Sequence, residues 1–339
     1  MITRISNRMP RESYEELYTK VLKMNTGIDD YIYNEMLNHK KWYDPKTGLR
    51  ETDYACRDST MIYRNKSLLM RDGAKIGVEI IQPKELAPNK YGHAVLYVHG
   101  AAFQRRVSDI NLHTAERLAK FAECPVFVPD YRVGVAYTFD QMINDLVECY
   151  MEMLWCGEYN PTHISVIADS SGCTSLLFAL SRAAERGLEL PHKVVLLSPQ
   201  AWSIVPAEKL AKGKQQDPSM TGNNLFVTGA DVFHNRMAVG KSAEETSTIN
   251  IDYSLLKDCE ILIQTGGDEM FCEDAIALHD EMGKHTLCDL EVYEQMYHNF
   301  QTYYSLCPMA HYSWASMVKF MLKDSRRPVA SGVNKLNLV

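Results

Sequence analysis

Short apolar runs alternate with longer amphipathic stretches through most of this sequence. The short runs are typical of buried strands, and the longer stretches carry apolar residues at helical spacing. This alternation predicts βαβ units, and therefore a mostly parallel sheet with helices on both faces. The predicted strands are 75–82, 94–98, 125–129, 163–168, 193–197, 260–264 and 290–293. The predicted helices are 12–42, 109–122, 138–156 and 173–186, with another after His298.

One segment interrupts the alternation. Residues 203–250 lean polar and are rich in Gly, Ser and Thr. An insertion of this length between two strands is usually a lid or a binding element. We expect it to form a helical cap together with the N-terminal helical segment, residues 1–55. The sheet domain then spans 56–330, and 331–339 is a C-terminal tail.

The composition is that of an ordinary globular protein. Of 339 residues, 46% are hydrophobic and the net charge is −7, which argues against nucleic acid and anionic membrane as partners. No apolar stretch is long enough to span a bilayer, and the start does not read as a signal peptide. The nine cysteines form no C-x-x-C pair, so we expect free thiols in a cytoplasmic protein rather than disulfides or a zinc site.

A candidate nucleophile lies between a predicted strand and the helix that follows it. In Ala168-Asp169-Ser170-Ser171-Gly172, small residues stand two positions before and two after Ser170. A nucleophile elbow needs this arrangement, because the strained turn brings backbones close together. Ser171 is the rival nucleophile, but it lacks the symmetrical small flanks. The motif alone is weak, since serine-rich loops are common, and the strand–turn–helix context strengthens it.

A candidate oxyanion loop follows the predicted strand 94–98. Acyl transfer needs N–H donors directed at the tetrahedral oxyanion, and the N–H of Ser171 would supply one of them. His99-Gly100-Ala101-Ala102 would supply the others. We expect His99 to be structural. We also predict a negative φ at Ala101 and Ala102, because alanine is strained at positive φ.

The acid and the base should follow the serine in that order. Asp268 follows the predicted strand 260–264, and His298 follows the strand 290–293. Doubly wound folds place their sites at such strand ends. We predict that His298 takes the Ser170 proton and that Asp268 orients its ring. The rivals are Glu269 and Asp274 for the acid, and His279 and His285 for the base.

These motifs together resemble the hormone-sensitive-lipase-like family of α/β-hydrolases, over roughly residues 90 to 305. His99-Gly100-Ala101-Ala102 is similar to that family's His-Gly-Gly-Gly, and the Ser170 motif to Gly-Asp-Ser-Ala-Gly. Departures are the two loop alanines, Ala168, and Glu269 in place of a proline. Further similar segments are Asp130-Tyr131-Arg132, residues 139–145 and Leu197-Ser198-Pro199.

The resemblance implies an α/β-hydrolase fold and hydrolysis of small to medium carboxylic esters through an acyl-enzyme. It implies no metal or organic cofactor, a small-molecule ester as partner, and oxyanion donors at Ala101, Ala102 and Ser171. A homodimer stays open. Two other hypotheses remain: a non-catalytic small-molecule binder on the same scaffold, and an acyltransferase, amidase or eliminating enzyme that uses the same site. The complete triad favours an enzyme.

Overall fold

The computed structural model of this protein describes residues 1–6, 9–25, 58–85, 92–156, 159, 161–221 and 225–323. Strands within those ranges form one nine-stranded sheet. In chain order the strands are β1 Ile2–Ile5, β2 Met61–Leu69, β3 Lys75–Pro83, β4 Ala94–Val98, β5 Val126–Pro129, β6 Ile164–Asp169, β7 Lys193–Leu197, β8 Glu260–Gly266 and β9 Leu287–Tyr293.

The strand order across the sheet is β1-β9-β8-β7-β6-β4-β5-β3-β2. Neighbours from β1 to β5 in this order are parallel, whereas β3 pairs antiparallel with β5 and β2 antiparallel with β3. The central strands β4, β6, β7 and β8 are buried at every position, as a parallel sheet covered on both faces requires. The predicted α/β-hydrolase fold with a mostly parallel sheet is confirmed.

Helices cover both faces. Successive residues of β4 belong to different apolar clusters, Val95 to one and Leu96 to the other. Because successive side chains of a strand point to opposite faces, the two clusters lie on opposite sides of the sheet. None of the helices that the structure describes is both long and apolar enough to cross a bilayer. In chain order they are α1 Arg11–Asn25, α2 Asp109–Ala122, α3 Phe139–Trp155, α4 Ser171–Glu185, α5 Ala207–Gln216, α6 Leu225–Val232, α7 Ala243–Thr246, α8 Cys272–Met282 and α9 Pro308–Leu322.

The sequence pattern does not predict β1 and β2, which are the two edge strands of the sheet. Most positions of β1 are exposed, so it lacks the alternation that marks a half-buried strand. β1 is held by its pairing with β9, near the other end of the chain. The polar run Arg64–Lys66 weakens the apolar signal of β2, which pairs along its full length with β3. β1 therefore depends on a distant partner, whereas β2 forms a hairpin with the strand that follows it.

The 203–250 insertion lies between β7 and β8 and contains α5, α6 and α7. Within the N-terminal segment, Leu17 and Val21 of α1 are buried in the same apolar cluster as Tyr297. Residues 26–57, with most of the predicted 12–42 helix, lie outside the described residues, as does the predicted tail at 331–339. The division into 1–55, 56–330 and 331–339 therefore stays a prediction.

The Asp130-Tyr131-Arg132 segment supports the loop that follows β4. The Tyr131 hydroxyl donates to the carbonyl of His99 at 2.6 Å. Arg132 binds Asp145 of α3 through two bonds, Nη2 to Oδ1 at 2.6 Å and Nε to Oδ2 at 2.9 Å. Both side chains are buried, so the pair is bidentate and shielded from water. The segment thus connects the sheet to α3.

Asp145→Asn should lower the free energy of unfolding by about 3 kcal/mol, measured by urea denaturation. It leaves a buried guanidinium without its bidentate partner, and breaking one side of a buried pair costs about 3–5 kcal/mol. Arg132 also contacts Asp72, which keeps the expected loss at the lower end. Asp140→Asn is the matched control, because its pair with Arg182 is half exposed and should be worth less than about 1 kcal/mol. Equal losses in the two variants would contradict this prediction.

Candidate active site

Ser170 lies on a strained turn between β6 and α4, with φ 51° and ψ −126°. Close backbone crossings surround it. A Cβ on Gly172 would lie 2.4 Å from the Val98 carbonyl oxygen, and a Cβ on Gly100 would lie 2.6 Å from that of Asp169. No side chain fits at either crossing, which explains the glycines in the two motifs. The Ser170 hydroxyl is thereby fixed at the carboxyl edge of the sheet.

The structure brings His298 to Ser170, as predicted. Nε2 of His298 lies 2.9 Å from the Ser170 Oγ, and both side chains are buried. Burial alone would lower the pKa of His298. The adjacent Glu269 carboxylate, with the charges of Asp217 and Asp169, outweighs burial and raises that pKa above its ordinary value. His298 is therefore surrounded by negative charge that favours its protonated form.

The carboxylate beside His298 is that of Glu269, and not that of Asp268, which the sequence pattern predicts in this position. Oε2 of Glu269 lies 3.3 Å from Nδ1 of His298, and the Glu269 side chain is buried. The Asp268 side chain is exposed, and its backbone N–H donates to the carbonyl of Met296. Because a carboxylate can only accept, Glu269 favours the tautomer with the proton on Nδ1, leaving Nε2 to accept from Ser170.

The register differs because β8 runs to Gly266, beyond the predicted end at residue 264. Gly266 and Gly267 pack against the backbone before His298. A Cβ on Gly266 would lie 2.3 Å from the Met296 carbonyl oxygen. This close approach turns Asp268 outward and Glu269 inward. The rival Asp274 lies elsewhere, in contact with the N–H of Ala201.

The oxyanion loop has the opposite backbone conformation to the prediction. φ is 146° at Ala101, 49° at Ala102 and 59° at Phe103. The prediction of a negative φ at both alanines is wrong. Positive φ costs an L-residue roughly 1–2 kcal/mol, and here it occurs at three consecutive positions. The strain is tolerated because a rigid surrounding structure over-determines the loop.

Of the three N–H groups expected to bind the oxyanion, that of Ala101 is already bound to a side chain. The Ala101 N–H donates to the Ser171 Oγ at 3.2 Å, and the Phe103 N–H donates to the same oxygen at 3.3 Å. The N–H groups of Ala102 and Ser171 have no acceptor among the described residues. His99 is buried, and burial lowers its pKa to about 3, so its ring is neutral, in line with a structural role.

Three polar residues that the sequence pattern does not single out bind Glu269 or the loop of His298. Ser198 donates to Glu269 Oε2 at 2.6 Å and accepts the N–H of Asn299 at 3.1 Å. Thr265 donates to Glu269 Oε1. The third is Asp217. Ser198 belongs to the Leu197-Ser198-Pro199 segment noted in the sequence, which was a usable signal.

Asp217 lies in the 203–250 insertion, directly after α5, and contacts the backbone of His298. Its Oδ2 accepts the backbone N–H of His298 at 2.8 Å, and its Oδ1 accepts the N–H of Ser219 at 2.8 Å. Burial raises the pKa of Asp217 to about 6, against the opposing charge of His298. The insertion thus contributes a buried carboxylate to the histidine loop. No pattern in that polar segment singles this residue out.

A cavity opens above Ser170, between the oxyanion loop and the insertion. Phe103 and Phe233 both line it and stack against each other, with their ring centroids 4.3 Å apart. Phe226 stands edge-on to the His298 ring at 5.1 Å. The wall of the cavity combines apolar rings with a few hydroxyl groups. The lining residues from the insertion are Ser203, Val205, Phe226, Gly229, Ala230, Phe233, Thr246 and Thr248.

Asp217→Asn should move the acid limb of the kcat/KM profile to lower pH, by roughly half to one unit. The Asp217 charge helps to raise the pKa of His298, so removing it lets the imidazole lose its proton at lower pH. Asparagine keeps an oxygen that can accept the His298 N–H. Asp231→Asn, an exposed change in the same insertion, is the control and should leave the limb in place. A limb that stays fixed or rises in Asp217→Asn would contradict the assignment.

Residues 95–302 match a family model described as the alpha/beta hydrolase fold. The carboxylesterase/phospholipase LipF of Mycobacterium tuberculosis is 26% identical over 249 residues, which is 70% of this chain and 64% of LipF. Esterase LipU of the same species is 28% identical over 228 residues, 64% of this chain and 73% of LipU. This chain thus spans less than two thirds of the length of LipF.

A solved structure supports the same fold. An esterase from the bacterial hormone-sensitive lipase family superposes with a TM-score of 0.69 at 21% identity, over 93% of this chain and 99% of that structure. The family match covers more than half of the chain and includes Ser170, Glu269 and His298. This chain therefore belongs to the α/β-hydrolase fold family, and its predicted resemblance to the hormone-sensitive-lipase-like members is confirmed.

Proposed function

We propose that this protein hydrolyses carboxylic esters, with Ser170 as nucleophile, His298 as general base and Glu269 as the acid that orients it. The observation that carries the proposal is one line of contacts: a hydrogen bond between Ser170 Oγ and His298 Nε2 at 2.9 Å, and an ion-pair contact between His298 Nδ1 and Glu269 Oε2 at 3.3 Å. A hydroxyl, an imidazole and a carboxylate in this order activate a serine toward acyl carbon. The names of LipF and LipU, a carboxylesterase/phospholipase and an esterase, support the same class of reaction.

The geometry supports a two-step reaction. Ser170 Oγ forms a bond to the ester carbonyl carbon while its proton passes to His298 Nε2, and the carbonyl electrons move onto oxygen. When the tetrahedral intermediate collapses, the bond to the alcohol oxygen breaks and that oxygen takes the proton from His298. Water then attacks the acyl-enzyme with His298 as base, and the acid is released with Ser170 restored.

Local charge favours the imidazolium formed in the first step. The Glu269 carboxylate lies beside Nδ1, and Asp217 and Asp169 add further negative charge, which together raise the pKa of His298 despite its burial. The oxyanion would be stabilised by the N–H groups of Ala102 and Ser171, at the start of α4, where the helix dipole also favours negative charge. No step in this scheme needs a metal or an organic cofactor.

The first test compares Ser170→Ala, Glu269→Gln and Asp268→Asn with the wild type. Ser170→Ala should abolish covalent labelling by a fluorophosphonate probe and lower kcat by about 10³-fold or more. Glu269→Gln should lower kcat by roughly 10³–10⁴-fold, because the wrong imidazole tautomer is then favoured. Asp268→Asn is the matched control. Its side chain is exposed, so activity should stay within about threefold of the wild type.

The outcomes separate the assignments. Labelling that persists in Ser170→Ala, or a labelled peptide that maps to Ser171, would exclude Ser170 as the nucleophile. A larger loss in Asp268→Asn than in Glu269→Gln would return the acid to the residue that the sequence favoured. A wild-type protein that neither labels nor turns over any activated ester would refute the proposed hydrolase.

The second test concerns substrate size. The cavity above Ser170 is closed on one side by Phe226, Gly229 and Phe233 of the insertion, so it should accept short acyl groups and reject long ones. Over p-nitrophenyl esters from acetate to palmitate, kcat/KM should rise while each methylene adds up to about 0.8 kcal/mol of burial, then fall beyond roughly four to eight carbons. Phe233→Ala should move the maximum to longer chains. A maximum at palmitate would contradict the closed cavity.

A further inference from the structure

The oxyanion loop carries more backbone strain than its sequence motif would suggest. Ala101 has φ 146°, a conformation that glycine adopts freely and alanine does not, and Ala102 and Phe103 also have positive φ. A loop with this strain relaxes unless its neighbours hold it. If it relaxed, the N–H of Ala102 would turn away from the position where a substrate oxyanion forms.

The Ser171 side chain is placed to hold the loop. It is buried, and its Oγ accepts the N–H of Ala101 at 3.2 Å and the N–H of Phe103 at 3.3 Å. These donors belong to the residues on either side of Ala102, so a single oxygen holds the Gly100–Ala101 and Ala102–Phe103 peptide groups, and the Ala102 N–H lies between them. A serine hydroxyl has two acceptor positions, and both are used here.

We infer that the Ser171 hydroxyl is a positioning residue that braces the strained oxyanion loop, a role separate from the Ser171 backbone N–H. This inference rests on the proposed hydrolase function. It joins two departures from the family pattern: alanines replace two loop glycines, and serine replaces the alanine after the nucleophile. The strained loop at Ala101 and Ala102 and the Ser171 hydroxyl that binds it therefore occur in the same sequence.

The insertion adds a second constraint on the same loop. Gly229 of α6 lies so close to Ala102 that a Cβ there would be 2.4 Å from the Ala102 carbonyl oxygen and 2.7 Å from its Cβ. Ala102 is therefore confined between α6 above and Ser171 below. Substitution at Ala101, which lies outside that contact, is the cleaner way to relieve the strain.

A double-mutant cycle of wild type, Ser171→Ala, Ala101→Gly and the double variant tests the brace. The readouts are kcat and KM for a short p-nitrophenyl ester and the second-order rate of fluorophosphonate labelling. Ser171→Ala should lower kcat by about 10- to 100-fold with KM within about twofold, because a displaced donor is lost from the transition state more than from substrate binding. In the Ala101→Gly background, the same change should cost less than about threefold, because glycine holds φ 146° without a brace.

The outcomes distinguish this inference from the proposed function. If the wild type labels and hydrolyses but Ser171→Ala lowers kcat equally in both backgrounds, the hydroxyl does not act through the loop and the inference fails alone. An unchanged or higher kcat in Ser171→Ala would also overturn it, since the hydroxyl would then only occupy donors that the oxyanion needs. A wild type that neither labels nor hydrolyses would refute the hydrolase and the brace together.

Discussion

The buried carboxylate of Asp169 is the contact on which the geometry of the site depends. Its Oδ1 accepts the Tyr97 hydroxyl at 2.7 Å and the Gly100 N–H at 3.0 Å, and its Oδ2 accepts Nδ2 of Asn299 at 3.0 Å. Tyr97 belongs to β4, Gly100 to the oxyanion loop, and Asn299 follows His298. One side chain next to the nucleophile therefore fixes all three. Burial raises the pKa of Asp169, and these donors oppose that effect. Without them, a buried charge would be left uncompensated, which is strongly destabilising.

The same logic explains how the acid is held. Glu269 is anchored through both oxygens, by Ser198 and Thr265, so its longer side chain has little freedom left to lose. Ser198 also accepts the N–H of Asn299, which connects the acid to the residue after the base. The position of Glu269 is thus set by two hydroxyl groups that bind its carboxylate. The Asp217 contact to the His298 N–H extends the arrangement into the insertion, so the segment that lines the cavity also helps to position His298.

Local patterns were enough to predict the core strands and the strand–turn–helix context of Ser170, and they selected His298, whose Nε2 lies 2.9 Å from the Ser170 Oγ. The carboxylate beside His298 lies one position beyond the predicted Asp268. Its identity depends on how far β8 extends and on how closely Gly266 approaches Met296, neither of which the local sequence encodes. β1 was missed because its pairing partner β9 is distant in the chain, and β2 was missed because polar residues interrupt its apolar pattern. Asp217 was missed because a polar insertion has no periodicity, and its role arises only from the tertiary contact with His298.

The backbone of the oxyanion loop differs from what its residue types predict. Backbone propensity predicts a negative φ at alanine, yet φ is positive at Ala101, Ala102 and Phe103. The same region contains positive φ at Ser170, Ser198 and Asn299. Such conformations persist where the surroundings permit no alternative, and here fully buried parallel strands end side by side and glycines admit backbone crossings. Propensity is a weak preference of about 1 kcal/mol, whereas moving one of these loops would break several buried hydrogen bonds together. At this edge of the sheet, tertiary contacts therefore determine the backbone conformation, even where the residue type does not favour that conformation.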